Sequence, residues 1–142
     1  MISPVLLDTS AWNRFRAPGL SAERTEELAE ATDSGHVVVC LPFLLEAGFT
    51  AQNAEEHRLM MATLLGLPRV HLDPTAETAA VEAQHQLARV GHQRIRPADL
   101  LIAALADRHE LGVLHYGHHY DLISEQTDLR YDSVWLAEPG SL

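Results

Sequence analysis

Short apolar runs alternate with longer helical patterns along this chain, and that alternation constrains the fold more than any other feature. The strand-like runs are residues 5–7, 37–40, 70–72 and 111–115, with an edge-strand candidate at 133–136. The helical patterns are residues 21–34, 54–65, 74–90 and 121–125, with further helices starting at Pro42 and Pro97. Strands that alternate with helices predict βαβ units. We therefore expect an α/β fold in three layers, α/β/α, with a central, mostly parallel sheet.

Several helix boundaries carry specific signals. Asp73 precedes Pro74, which is a favoured residue at the first position of a helix, and Gly91 ends the same pattern. Ser21 is a suitable cap for the helix that Gly35 stops. A short helical segment at 11–15 is expected to be capped by Thr9 and Ser10.

Length and composition favour one domain spanning residues 1–142. No segment has the length of a membrane span, and the first residues lack an export signal, so we expect no membrane association and a cytoplasmic location. Cys40 is the only cysteine, which excludes an internal disulfide and favours a small buried side chain.

The formal net charge of −10 argues against general coating of nucleic acids. It is compatible with an enzyme that binds RNA locally, through a metal ion and a few cationic side chains. Arg89, Arg94 and Arg96 lie close together near His92, and we weigh two explanations for them equally: a solvated loop, or a patch that grips phosphate.

Three acidic residues lie where apolar segments end or turn. Asp8 follows the first predicted strand, Glu46 lies in an apolar helix, and Asp99 opens another helix. Each has a simple alternative explanation: Asp8 as a helix cap, Glu46 as an exposed position, and Asp99 as a partner of the helix dipole. All three nevertheless map to one end of the predicted sheet, where sites gather in such folds.

Carboxylates at one edge of a sheet suit Mg²⁺ or Mn²⁺, which prefer hard oxygen ligands. Such an ion activates water and stabilises the charge that develops on a phosphodiester. The sequence has no phosphate-binding loop with a lysine and no cysteine-rich zinc motif. His115, His118 and His119 are close in sequence, but their spacing is a weak zinc signature.

Three segments resemble the core motifs of PIN-domain nucleases, and more narrowly of the VapC-type toxins of bacterial type II toxin–antitoxin pairs. They are Leu6-Leu7-Asp8-Thr9-Ser10-Ala11-Trp12, Leu45-Glu46 and Arg96-Pro97-Ala98-Asp99-Leu100-Leu101-Ile102-Ala103-Ala104. The segment from Val113 to Ile123 is similar to the last motif of that family, and the resemblance runs from Met1 to about Trp135.

The resemblance implies that Asp8, Glu46 and Asp99 are the catalytic, metal-binding acids, with Mg²⁺ or Mn²⁺ as cofactor. Thr9 or Ser10 would support the site through a hydroxyl. In our own interpretation of the basic patch, Arg94 and Arg96 would hold the RNA backbone. The resemblance also implies a homodimer that a cognate VapB-type antitoxin holds inactive.

The chain departs from the family in the last motif, which commonly reads Asp-x-Asp-Phe. Gly117 and His119 stand at the two Asp places and Tyr120 at the aromatic place, with Asp121 as a weak substitute acid. We therefore expect weaker metal binding.

Our main hypothesis is an Mg²⁺- or Mn²⁺-dependent endoribonuclease toxin. The alternatives are a catalytically weakened PIN domain that mainly binds an antitoxin, and a DNA-directed or structure-specific nuclease.

Overall fold

The computed structural model of the protein describes residues 2–92 and 94–142. Its strands are β1 (Val5–Leu7), β2 (Val37–Val38), β3 (Gly112–His115) and β4 (Ser133–Trp135). Its helices are α1 (Thr9–Trp12), α2 (Ala22–Asp33), α3 (Leu41–Phe49), α4 (Ala54–Leu64), α5 (Pro74–Arg89), α6 (Pro97–His109) and α7 (His119–Gln126).

The four strands form one parallel sheet in the order β2-β1-β3-β4. The central strands β1 and β3 are buried along their whole length, which explains why both read as continuous apolar runs. Helix α6 contacts both of them, and α3, α5 and α7 pack against α6. The predicted three-layer α/β/α fold with a parallel central sheet is therefore confirmed.

The strand predicted at 70–72 was wrong. Only Arg69 pairs there, in an isolated parallel bridge to Val39. Val39 N–H donates to the carbonyl of Pro68 at 2.9 Å, and Val70 N–H donates to the carbonyl of Val39 at 3.1 Å, while Pro68 has no N–H for a further bond. Two backbone bonds beside a proline are too few to extend a ladder.

Other boundaries differ by smaller amounts. Strand β2 stops at Val38, because Cys40 already caps α3, which begins at Leu41 rather than Pro42. Helix α7 begins at His119, two residues before the predicted start. The short first helix is capped by Asp8, whose side chain accepts from Ser10 N–H, and not by Thr9 or Ser10.

Cys40 is fully buried, and burial raises the pKa of its thiol to about 11, as expected for a small core residue. Among the described residues, no helix is both long and apolar enough to cross a membrane.

Candidate active site

The sheet order creates a switch point between β1 and β3. The chain leaves β1 towards β2 on one side, whereas β3 lies on the other side of β1. At such a point the loops beyond the carboxyl ends of the two strands diverge and leave a crevice. Asp8 directly follows β1 and lies at this crevice, with its backbone N–H donating to the carbonyl of Leu114 in β3 at 3.0 Å.

Asp8 and Asp99 form a buried acid pair at the switch point. Each is only 4% exposed. The hydroxyl of Tyr120 lies 2.7 Å from Oδ1 of Asp8 and 3.3 Å from Oδ1 of Asp99, so one phenol bridges the two carboxylates. Helix α6 begins at Pro97, which places Asp99 in its first turn, and α7 begins one residue before Tyr120. The first turns of two helices and the end of one strand thus converge.

The acid pair is held by further donors on both sides. Ser10 donates to Oδ2 of Asp8 through its backbone N–H at 3.0 Å and through its hydroxyl. Nδ1 of His119 lies 2.9 Å from Oδ2 of Asp99. A charged carboxylate with few donors is costly to bury, and Ser10, His119 and Tyr120 together supply the donors that the pair needs.

Burial raises the pKa of the Asp99 carboxyl above its usual value. The hydrogen bond from His119 acts in the opposite direction, and the negative charge of Asp8 raises the pKa further. Burial also raises the pKa of Tyr120 well above its usual value, with the charges of Asp8 and Asp99 adding to the effect. The phenol therefore keeps its proton and serves as a donor at neutral pH.

Glu46 lies next to this pair but has different partners. Its Oε1 accepts from the hydroxyl of Thr9 at 3.1 Å, and its Oε2 forms an ion pair with Arg96. Thr9 follows Asp8 directly, so Glu46 is linked to the acid pair through one residue of α1. The structure thus joins Asp8 and Asp99 through a shared hydroxyl, while Glu46 lies at the rim and is paired with an arginine.

The donor chemistry of the pair fits a hard divalent cation. A carboxylate offers about four lone-pair sites. Asp8 accepts three hydrogen bonds and Asp99 two, so both keep acceptor capacity. In the part of the chain that the structure describes, no group of three or more His, Cys, Asp or Glu residues is arranged to hold a metal. The free acceptor sites of Asp8 and Asp99 suit an ion such as Mg²⁺, which one or two carboxylates and several waters commonly hold.

Asp121 points to a different part of the fold from the acid pair. Its Oδ1 accepts from the hydroxyl of Ser133 and its Oδ2 from the indole N–H of Trp135 at 3.0 Å, both in β4. Ser133 also lies 2.6 Å from Nε2 of buried His115, and Gly117 N–H donates to Nδ1 of that ring at 3.3 Å. Asp121 therefore anchors α7 to β4, and of the three neighbouring histidines only His119 is hydrogen-bonded to the acid pair among the described residues.

The arginines of the predicted basic patch lie in and beside the turn between α5 and α6. Arg96 is the residue before the first turn of α6, without a side-chain capping bond, and is exposed at the rim of the site. Arg94 is exposed in the turn, and Arg89 and His92 are exposed near the end of α5. Only Arg96 of this group contacts a candidate site residue among those described.

Sequence reasoning missed the roles of Tyr120 and His119. Tyr120 was assigned to the aromatic place of the last motif, where the family commonly has Phe. The hydroxyl that distinguishes Tyr from Phe is the atom that reaches both carboxylates. The replacement of Phe by Tyr at this place was the sequence signal that could have revealed the role of Tyr120. His119 was treated as a lost acid, whereas its imidazole bonds to Asp99.

Comparisons with known proteins agree with this architecture. The PIN domain family model matches residues 5–125. The chain is 30% identical over 128 residues to Ribonuclease VapC11 of Mycobacterium tuberculosis (strain ATCC 25618 / H37Rv), an alignment that covers 89% of this chain and 96% of that protein. It is 32% identical over 137 residues to Ribonuclease VapC51 of the same organism, with 96% of each chain covered.

Solved structures show the same fold. The DNA-bound VapBC structure from Salmonella typhimurium has a TM-score of 0.74 at 16% identity and covers 96% of this chain and 100% of that chain. VapBC-5 from Mycobacterium tuberculosis has a TM-score of 0.60 at 22% identity and covers 94% of this chain and 100% of that chain. With the family model and the curated relatives, these likenesses lead to one conclusion: the chain belongs to the PIN domain family and, within it, to the VapC group.

Proposed function

We propose that this protein is a divalent-metal-dependent endoribonuclease, the toxin of a type II toxin–antitoxin pair. The observation that carries the proposal is the buried pair of Asp8 and Asp99 at the β1–β3 switch point, in a chain whose curated relatives are named ribonucleases. Two desolvated carboxylates that share one hydroxyl are poorly neutralised by the protein alone. A cation relieves that repulsion.

Asp8 and Asp99 would hold Mg²⁺ or Mn²⁺, and such an ion supplies activation of water and stabilisation of charge at the scissile phosphate. Ser10 and Tyr120 orient the carboxylates through the hydrogen bonds described above. Glu46 would act as a further ligand or orient water at the rim of the site, and Arg96 beside it would bind the RNA backbone together with Arg94.

The names of the solved relatives describe VapBC complexes, which supports a VapB-type antitoxin as partner of this chain. We further propose that the protein is a homodimer and acts in the cytoplasm. A short neighbouring gene that encodes a small DNA-binding protein would supply the antitoxin, and co-expression with its product should suppress RNA cleavage.

The nuclease proposal is tested by RNA cleavage with purified protein. Cleavage of single-stranded RNA should stop with a chelator and return with Mg²⁺ or Mn²⁺. Asp8→Asn and Asp99→Asn should each lower the rate by orders of magnitude, because each removes a charged ligand. Asp33→Asn is the matched control, since Asp33 is exposed at the end of α2, before β2, at the opposite edge of the sheet. Metal-independent cleavage by pure Asp99→Asn protein would contradict the proposal.

A second candidate function is a weakened PIN domain that mainly binds an antitoxin. It is favoured by Gly117 and His119 at two acid places and by the pairing of Glu46 with Arg96. Under this alternative, the protein binds the antitoxin tightly but cleaves neither RNA nor DNA at any metal concentration. Parallel assays with single-stranded RNA, single-stranded DNA and duplexes also separate an RNA-directed enzyme from a DNA-directed one.

A further inference from the structure

A connected group of aromatic rings lies beside the acid pair. We call it the aromatic shelf and define it as Tyr116, His118 and Trp135 together with Arg14. The ring centroid of Trp135 is 5.1 Å from that of His118 and 5.7 Å from that of Tyr116. The guanidinium carbon of Arg14 lies 4.8 Å from the centroid of Tyr116. His118 is exposed and the other three side chains are partly exposed.

The shelf and the acid pair lie at the same edge of the sheet. Tyr116 follows the last residue of β3, and Trp135 is the last residue of β4. Because the strands are parallel, these positions lie on the side where Asp8 follows β1. Two connections join the aromatic shelf to the acid pair, one by hydrogen bonds and one through adjacent residues. Ser10 accepts from Tyr116 N–H at 2.9 Å and donates to Asp8. His118 precedes His119, which contacts Asp99.

Neighbouring polar groups hold the side chains of the shelf in place. The indole N–H of Trp135 donates to Asp121, and the ring of fully buried His115 lies 4.9 Å from the indole. Arg14 is fixed by a 2.8 Å hydrogen bond to the carbonyl of Ser10. These contacts order the rings before any ligand arrives, and preorganised groups lose less entropy on binding.

The negative net charge of the protein favours RNA binding through stacking on the aromatic shelf over binding through electrostatic attraction. A chain with a net charge of −10 repels a polyanion, so broad electrostatic attraction cannot hold RNA on it. Stacking of bases on aromatic rings needs no net charge and is available to any unpaired base. Bases inside a duplex are already stacked, which restricts the shelf to single strands, loops and ends.

We propose that the aromatic shelf is a base-stacking subsite for an unpaired RNA nucleotide next to the scissile phosphate. This inference rests on the proposed ribonuclease function, because RNA is the ligand. His118 offers the exposed ring, Trp135 supports it, and the guanidinium of Arg14 extends the surface on the side of Tyr116.

The two tryptophans of the chain provide an internal control. Trp12 lies in α1 and packs edge-on against Phe15 and Phe43, whereas Trp135 belongs to the shelf. Trp12→Phe leaves Trp135 as the only tryptophan, and Trp135→Phe leaves Trp12. Each protein is titrated in chelator, where the RNA stays intact, with a short single-stranded RNA and with an abasic oligonucleotide of the same length.

We expect the single-stranded RNA to quench the fluorescence of Trp135 but not that of Trp12. The abasic oligonucleotide, which has the phosphates without the bases, should leave Trp135 unchanged. His118→Ala should weaken RNA binding by about tenfold, as expected for the loss of one stacked base. His118 makes no side-chain capping bond to α7, so alanine costs the helix no cap. His85→Ala, an exposed histidine on α5, is the matched control and should bind like the parent.

Two results would overturn the stacking subsite. One is that the abasic oligonucleotide quenches Trp135 fluorescence as strongly as RNA does. The other is that His118→Ala binds RNA with unchanged affinity. The Trp12→Phe protein retains the whole shelf, so the result does not depend on whether Trp135→Phe folds. RNA cleavage without a Trp135 signal would refute the subsite and leave the nuclease standing. A base-dependent Trp135 signal in a protein that cleaves nothing would support the subsite and refute the nuclease.

Discussion

The hydroxyl of Tyr120 lies 2.7 Å from Oδ1 of Asp8, although the two residues are 112 positions apart in sequence. The same hydroxyl is 3.3 Å from Oδ1 of Asp99. A phenol has one proton to donate, so the two carboxylates share a single neutral donor. The pair is therefore hydrogen-bonded but its charge is not neutralised by this residue.

Tyr120→Phe should lower the free energy of unfolding by about 1–3 kcal/mol at pH 7.5, because two buried acceptors lose their shared donor. The loss should be smaller at pH 5. The pKa of Asp99 is raised by burial and by Asp8, so acid protonates this carboxyl readily and restores a donor within the pair. Urea unfolding in chelator at both pH values measures the effect.

Tyr116→Phe is the control for this comparison, because its hydroxyl bonds to the backbone of the exposed C-terminal segment at Glu138 and Leu142. Tyr116→Phe should lower the free energy of unfolding by less than Tyr120→Phe does, and its effect should be the same at both pH values. If the two variants lose the same stability at both pH values, the bridge between the carboxylates has no energetic role.

His115 should make the fold sensitive to mild acid. Burial lowers the pKa of this imidazole from 6.5 to about 4, against the opposing effect of the Asp121 charge. Between these values the unfolded chain binds a proton that the folded protein does not, so stability falls as the pH drops from 6.5 to about 4. At about 1.4 kcal/mol per pKa unit, the total loss is about 3 kcal/mol.

Urea unfolding at pH 7 and pH 5 measures the part of this loss that falls above pH 5. His115→Gln, which keeps a donor towards Ser133, should lose less stability between the two values than the parent. His109→Gln, an exposed histidine at the end of α6, should follow the parent. Other titrating groups are common to all three proteins and cancel in the comparison. An equal slope for His115→Gln would show that the imidazole is not neutral in the fold.

Gly117→Asp should tighten binding of Mn²⁺, on the order of tenfold, if position 117 is the place of a further acid. A Cβ built at Gly117 meets no atom within 4 Å, so the fold has room for the side chain. Asp121→Ala should leave Mn²⁺ affinity nearly unchanged and instead lower stability, because Asp121 bonds to Ser133 and Trp135.

Calorimetry with Mn²⁺ on the parent and both variants decides between the two positions. A drop in affinity in Asp121→Ala, with no gain in Gly117→Asp, would assign the additional acid to Asp121 and refute the prediction for Gly117.

Arg96→Gln should weaken RNA binding and make it less dependent on salt, because Arg96 is exposed beside Glu46 at the rim of the site. Loss of one phosphate contact to a single strand reduces the slope of log affinity against log salt by about 0.7. Arg58→Gln is the matched control, since Arg58 also pairs with a glutamate, Glu55, but on α4. Equal salt slopes for parent and Arg96→Gln would exclude a phosphate contact there.

The elements that the sequence predicted well are those whose signals are local. The Asp73-Pro74 start and the periodic pattern that follows predicted α5 to within one residue of its end. The apolar run at 5–7 matched β1, whose burial on both faces requires such a run. The strand prediction at 70–72 was wrong because the apolar character of these residues is also a local signal. A ladder additionally needs a partner strand with free donors and acceptors.

The sequence by itself determined which elements form, that the sheet is parallel, and that acids stand at its carboxyl edge, because periodicity, caps and turn residues act over a few positions. Only the tertiary structure decided which atoms meet there. It placed the hydroxyl of Tyr120 between Asp8 and Asp99, paired Glu46 with Arg96, and turned Asp121 towards β4. Such contacts depend on strand order and helix packing across the whole chain, and no local pattern encodes them.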